Sequence, residues 1–378
     1  DKKKNIVITS AVRTAIGTYR GSLKNVQAHE LGSVVIKEVM EKSNLKPKDV
    51  DELIMGQVLA SATGQNPARQ AAIKAGLPID KTAYIINQVC GSGLRSVASA
   101  YQAIMSNDSN IIIAGGQESM TNAPHAINFR NGKKLSEENL VDTMIKDGLW
   151  DAFNNYHMGV TAENVASKWK ISRKEQDDFA LLSQSKAKKA QKDGKFKNEI
   201  VPIILNSKNE KFEIDEHPRP DMTLERLEKL KSSFKENGTV TPGNSSGLND
   251  GAAAVVLMDE SEAEKREIAS VFLNRLATKM RLQSDATVLY SLTKGAVKLG
   301  RKLKISDYRF QSDYNTYLTH GLPPTAICNP GVKSLVAAAN PKKTNFFYFV
   351  ADGSGGHAFS ENFDQHKLNI KKWRLINQ

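Results

Sequence analysis

The stretch Tyr84-Ile85-Ile86-Asn87-Gln88-Val89-Cys90-Gly91-Ser92-Gly93-Leu94-Arg95-Ser96 decides the fold. Its apolar start reads as a buried strand, and Leu94, Val97, Ala98, Tyr101 and Ile104 then recur at helical spacing. The element is therefore strand, tight turn, helix, with Cys90 at the turn. A thiol there meets the positive end of the helix dipole and unpaired N–H groups, which favour a thiolate and could hold a developing oxyanion. Gly91 and Gly93 let a bound group approach without a Cβ in the way. An inert, buried packing cysteine fits the same turn.

Working outward, strands and helices alternate. Residues 5–10 read as a strand and 13–17 as a polar loop; Leu31, Val35 and Val39 mark a helix face; 53–59 is a strand and 66–75 a helix. Ile111-Ile112-Ile113-Ala114 is a second buried strand, running into Gly115-Gly116-Gln117-Glu118-Ser119-Met120. This order, with strands apolar on both sides, implies an α/β fold with a mostly parallel sheet covered on both faces, whose ligands gather at the carboxyl ends of the strands. From 121 to 244 the pattern breaks into polar segments and amphipathic helices. Ser172 with Glu175 makes a capping box, Gly194 ends that helix, and Trp150, Phe153, Tyr156 and Trp169 argue for order. The turn-rich run Gly238 to Gly251 leads back to a buried strand, 252–258.

Composition narrows the function. The chain has 378 residues, 40% hydrophobic and 25% charged, as a globular protein of two domains would. Two distant Cys make no disulfide framework and favour a reducing compartment. No run reaches membrane-span length, and Asp1-Lys2-Lys3-Lys4 opens no signal peptide, so a cytoplasmic location is expected. The net charge of +12 suits anionic partners, but the lysines are scattered among acids without an aromatic-interleaved stripe, so nucleic acid is not expected. No metal site is expected either.

Four separated motifs carry a resemblance. The Cys90 turn, the Gly-Gly-Gln-Glu-Ser-Met run, Tyr156-His157-Met158-Gly159 with Thr161-Ala162-Glu163-Asn164, and the Gly238 to Gly251 run together resemble the thiolase family over residues 1–258. The resemblance implies a layered αβα half with a five-stranded sheet, and a loop domain that cradles CoA, inserted at about 121–244. It implies an acyl-thioester on Cys90, with coenzyme A as substrate and no further cofactor. His157 and Met158 would line the pantetheine slot, Arg219 would lie near the nucleotide phosphates, and Ser246 would contact the pantetheine arm. It also implies a homodimer through the strand before the nucleophile, residues 83–87.

The second half of the family's pattern is missing. After Met258 there is no Asn-Glu-Ala-Phe, Gly-His-Pro or Cys-x-Gly-x-Gly run; Gly356-His357-Ala358 and Cys328-Asn329-Pro330-Gly331 do not match. Acylation without condensation is therefore expected. Residues 264–378 instead resemble the endolytic murein transglycosylase family. The resemblance rests on Ile268 to Leu276, Met280 to Asp285, Tyr314-Asn315-Thr316-Tyr317, Gly321-Leu322-Pro323-Pro324, Asn329-Pro330-Gly331 and Tyr348 to Gly353. This part reads as a smaller α+β domain, with a helix from Glu264 and a strand at 346–350. Gln283, Asn315 and Tyr317 are candidates for glycan contact, with peptidoglycan as partner. The family's catalytic acid would fall near Val256 or Met258; Asp259, Glu260 and Glu262 lie nearby at the wrong spacing and read as solvated linker charges. Three readings follow: an acyl-CoA acyltransferase, a glycan-cleaving enzyme, and a CoA-binding fusion without catalysis.

Overall fold

The structure, a computed structural model, describes residues 5–128, 139–205, 210–353 and 356–376. The chain divides into two compact units: Ile8–Met258, and Asp259–Gln378, to which the residues up to Val7 also belong.

The larger unit is built on one sheet. Its long strands are β1 (Ile6–Thr14), β3 (Glu52–Gly56), β4 (Thr82–Ile86), β5 (Ile111–Ser119) and β7 (Asn249–Asp259). Two-residue strands β2 (Gly17–Thr18) and β6 (Ile200–Val201) complete seven, in the order β6-β1-β7-β5-β3-β4 with β2 pairing to β7. The sheet is thus wider than five strands, and it is mixed. β3 runs parallel to β4 and β5, and β1 parallel to β6, whereas β7 is antiparallel to β5 from Asp250↔Ser119 to Met258↔Ile111. Consecutive buried residues follow from helices covering both faces: Leu53, Ile54 and Met55 are fully buried, as are Ile112, Ile113 and Ala114. Each such Leu or Ile contributes about 1.5–3 kcal/mol on leaving water.

Helices α1 (Ala28–Lys42), α2 (Pro67–Lys74) and α3 (Ser92–Met105) pack on these strands. Leu31, Val35 and Val39 are fully buried, as their spacing requires. In α3 the buried positions are Ser92, Ser96, Ala100 and Ile104, while Leu94 and Tyr101 face outward. β1 also continues through Arg13 and Thr14, where a loop was expected, because Asp215 and Glu199 neutralise Arg13.

The excursion between β5 and β7 carries α4 (Met158–Trp169), α5 (Arg173–Lys192) and α6 (Leu224–Glu228). The Ser172–Glu175 capping box is formed, and Gly194, at φ +65°, follows the cap. Its aromatics are not all packed: Phe153 and Trp169 stand in solvent.

The smaller unit holds α7 (Glu260–Ala277), α8 (Asp285–Thr293), α9 (Val332–Ala339) and α10 (Phe363–Ile376) around a hairpin of β8 (Tyr348–Ala351) and β9 (His357–Ser360). α7 begins four residues earlier than expected, at Glu260, whose carboxylate takes the Asn5 amide at 2.7 Å. Among the described residues no helix is long and apolar enough to cross a membrane.

Candidate functional site

Cys90 is exposed, two residues before α3 begins. Val89 before it sits at φ +48°, a conformation that costs a β-branched residue of order 1–3 kcal/mol. Hydrogen bonds hold the turn in place. Val89 N–H donates to Asn87 Oδ1 at 3.0 Å and Gln88 N–H to Ser92 Oγ at 2.8 Å, while the Ser92 hydroxyl donates to Val89 O at 2.6 Å. Gly91 N–H bonds Gln88 O and Ser92 N–H bonds Val89 O, so these two amides are not free to hold an oxyanion. Glycines bring neighbouring strand ends against this turn: a Cβ on Gly56 would lie 2.5 Å from Gly93 N, and one on Gly116 would lie 3.3 Å from Gly56 O.

The result is an open cavity of about 460 Å³ at the carboxyl ends of β3 and β5, lined by Cys90, Gly56, Gly116, Glu118, Met120 and Ala253 among others. No histidine lines it among the described residues. Glu118 is an acid that the sequence reading passed over. Burial raises its carboxyl above the usual range, with Asp250 adding to the rise, against hydrogen bonds from the N–H groups of Val58 and Leu59.

The expected CoA residues lie outside the lining of this cavity. His157 caps α4, with Nδ1 accepting Gly159 N–H at 3.0 Å, and stacks on Phe234 at 4.9 Å. Burial lowers its pKa, so the ring is neutral and its Nε2–H remains as a donor. Gly159 must be glycine because a Cβ would meet the Phe234 ring at 2.2 Å. Met158 opens α4 with its side chain partly exposed. Glu163, from the same motif, is structural: its buried carboxylate takes the N–H groups of Thr239 and Val240 at 2.7–2.9 Å. That bond ties α4 to the Gly238 to Gly251 run. Arg219 is exposed, its N–H held by Gln184 Oε1 at 2.7 Å, and Ser246 is also exposed. His217, which the sequence reading did not single out, bridges their surroundings. A Cβ on Gly247 would strike its ring at 2.0 Å, and burial followed by the charge of Arg219 lowers its pKa.

The smaller unit has its own cavity, of about 730 Å³, lined by Arg275, Asp285, Tyr308, Tyr317, Tyr348 and His366 among others. Gln283 and Tyr317 line it and Asn315 does not. Asn315 is fully buried, donating to the carbonyls of Tyr308 and Phe310 and accepting Tyr317 N–H, so it shapes the loop beneath. The Tyr317 hydroxyl donates to Asp285 Oδ1 at 2.7 Å; burial, then Asp285, raises its pKa. Gln283, at φ +52°, accepts from Arg275. Among the linker acids, Glu260 is engaged with Asn5, and the side chain of Glu262 lies outside the described residues. Glu264, further along α7, binds His357 instead, at 2.6 Å to its N–H and 2.8 Å to Nδ1. Arg275 and Asp285 stood inside the quoted motifs without being singled out; the available signal was a cation in the apolar run Val271 to Leu276.

Comparison with known proteins divides the chain similarly. A family described as "Thiolase, N-terminal domain" matches residues 6–261, and the YceG-like family matches residues 221–372. The acetyl-CoA acetyltransferase of Paracoccus denitrificans is 56% identical over 285 residues, 75% of this chain and 72% of that protein. The cytosolic acetyl-CoA acetyltransferase of Mus musculus is 51% identical over 265 residues, 69% of this chain and 67% of that one. The crystal structure of the Bacillus anthracis acetyl-CoA acetyltransferase superposes with a TM-score of 0.67 at 42% identity, covering 70% of this chain and 67% of that chain.

Proposed function

This chain belongs to the thiolase family, and on that footing we propose that Cys90 accepts the acyl group of an acyl-CoA. The observation that carries the reading is Cys90 exposed on an open cavity at a turn held by five hydrogen bonds. The sulfur adds to the thioester carbonyl, the bond from carbon to the CoA sulfur breaks, and CoA leaves with the proton that Cys90 carried. His157 through Nε2–H, Met158, Arg219 and Ser246 would hold the pantetheine arm and phosphates. The sheet leaves β4 at one edge, which suits pairing with a second copy. A cytoplasmic location, where acyl-CoA would be at hand, is part of the same proposal. With no histidine on the cavity among the described residues and no Cys-x-Gly-x-Gly run after Met258, acylation is the step expected, not condensation. Intact-mass measurement after incubation with acetyl-CoA tests it: one acetyl adduct is expected, absent in Cys90→Ser. No adduct, or one that survives the substitution, rejects the reading.

A second reading applies to the YceG-like region, for which a saccharide such as a peptidoglycan strand is proposed as ligand. It is favoured by the aromatic cavity with Asp285 in its lining, since flat rings suit the C–H faces of sugars and a carboxylate accepts hydroxyls. Digestion of purified glycan strands tests cleavage, and release of anhydro-sugar ends is the expected product.

A further inference from the structure

Arg275 carries a charge that its surroundings do not cancel. It is 6% exposed, on α7. Its Nε donates to Phe347 O, and its Nη1 reaches the carbonyls of Arg281 and Leu282 and Gln283 Oε1, so every partner is a neutral oxygen. The Tyr348 ring lies 4.9 Å from the guanidinium carbon. Among the described residues no carboxylate pairs with it. A buried guanidinium without a counter-ion is costly, and a bound anion removes that cost. A second group in the same cavity is also unmatched: His366 Nδ1 is buried with no partner, its ring stacked on Tyr348 at 5.1 Å.

We propose that the cavity of the smaller unit is a receptor for a sugar acid, whose carboxylate pairs with Arg275 while its ring lies on the tyrosines. The aromatic walls supply faces for sugar C–H groups, and Nη2, the one guanidinium nitrogen of Arg275 with no acceptor among the described residues, would donate to a carboxylate oxygen. Asp285 takes one tyrosine hydroxyl at 2.7 Å and a second at 3.4 Å, which leaves acceptor capacity for sugar hydroxyls. The inference rests on the saccharide reading and is independent of the chemistry at Cys90.

Glucuronate and glucose separate the two claims, because they share a ring and differ in a carboxylate. Calorimetry on the full chain at low salt should show glucuronate binding about tenfold or more tighter than glucose, the usual strength of a charged hydrogen bond. Arg275→Lys should lower glucuronate affinity about tenfold and leave glucose unchanged, since lysine keeps the charge but places no donor where Nη2 stands. Equal binding of the two sugars overturns the role of Arg275 and leaves the saccharide reading standing. Binding of neither overturns both. If circular dichroism shows that Arg275→Lys does not fold, the comparison of the two sugars on the unmodified chain decides.

Discussion

A Cβ on Gly56 would stand 2.5 Å from the amide nitrogen of Gly93, so the end of β3 and the start of α3 meet backbone to backbone. This contact fixes where the turn with Cys90 can lie. Gly56→Ala forces the two apart, and overpacking of this kind costs about 1–3 kcal/mol. The expected result is a lower urea midpoint together with slower acetylation of Cys90. Gly93→Ala is the stability control, because a Cβ there meets nothing within 4 Å. A Gly56→Ala protein that acetylates at the unmodified rate would show that this contact does not position the thiol.

The strands were readable because burial on both faces leaves no alternation to decode: Leu53-Ile54-Met55 and Ile112-Ile113-Ala114 are apolar without interruption and fully buried. The end of β1 was not readable. Arg13 looks like loop chemistry until Asp215 and Glu199, some two hundred residues later, neutralise it. The same limit hid Glu118 and Arg275, whose burial is decided by residues far along the chain. Cys90 was legible because the hydrogen bonds that shape its turn all lie within residues 87–92. The helical spacing of Leu94 and Tyr101 was also read correctly as apolar, but periodicity does not say what covers a face.

Glu118 gives the cavity a pH dependence. Its carboxyl is raised by burial, so the folded state holds the proton more tightly than the unfolded chain does. Its contribution to stability is present below the ordinary carboxylate value of 4.5 and is lost as pH rises through the raised one. Glu118→Gln removes that titration. Urea midpoints measured from pH 4 to pH 8 should therefore fall less with rising pH in the variant than in the unmodified chain, whatever constant offset the substitution adds. Parallel curves would show that Glu118 titrates normally.

The outward stripe of α3 bears on assembly. Leu94 is 78% exposed, so Leu94→Asp should leave folding intact. If copies pair through the β4 edge and the helix that follows it, sedimentation should show a dimer for the unmodified chain and a weakened one for the variant. A monomer at micromolar concentration in both would remove the pairing proposal. A dimer unaffected by the substitution would confine the contact to the strand edge.

Asn315 separates support from contact in the smaller unit. Its side chain satisfies two carbonyls, of Tyr308 and Phe310, and the N–H of Tyr317, and it does not line the cavity of about 730 Å³. Both tyrosines it anchors do line the cavity, with ring centroids 4.7 Å apart. Asn315→Ala strands three polar groups in a buried loop at about 1–3 kcal/mol each where water does not reach, so a loss of about 3 kcal/mol is expected in urea denaturation. Sugar affinity should weaken only as far as the tyrosines shift, and Asn315→Asp, which keeps an acceptor for Tyr317 N–H, should recover part of the stability. If Asn315→Ala instead unfolds at the unmodified midpoint yet loses sugar binding outright, the side chain touches the ligand and is not a support for the tyrosines.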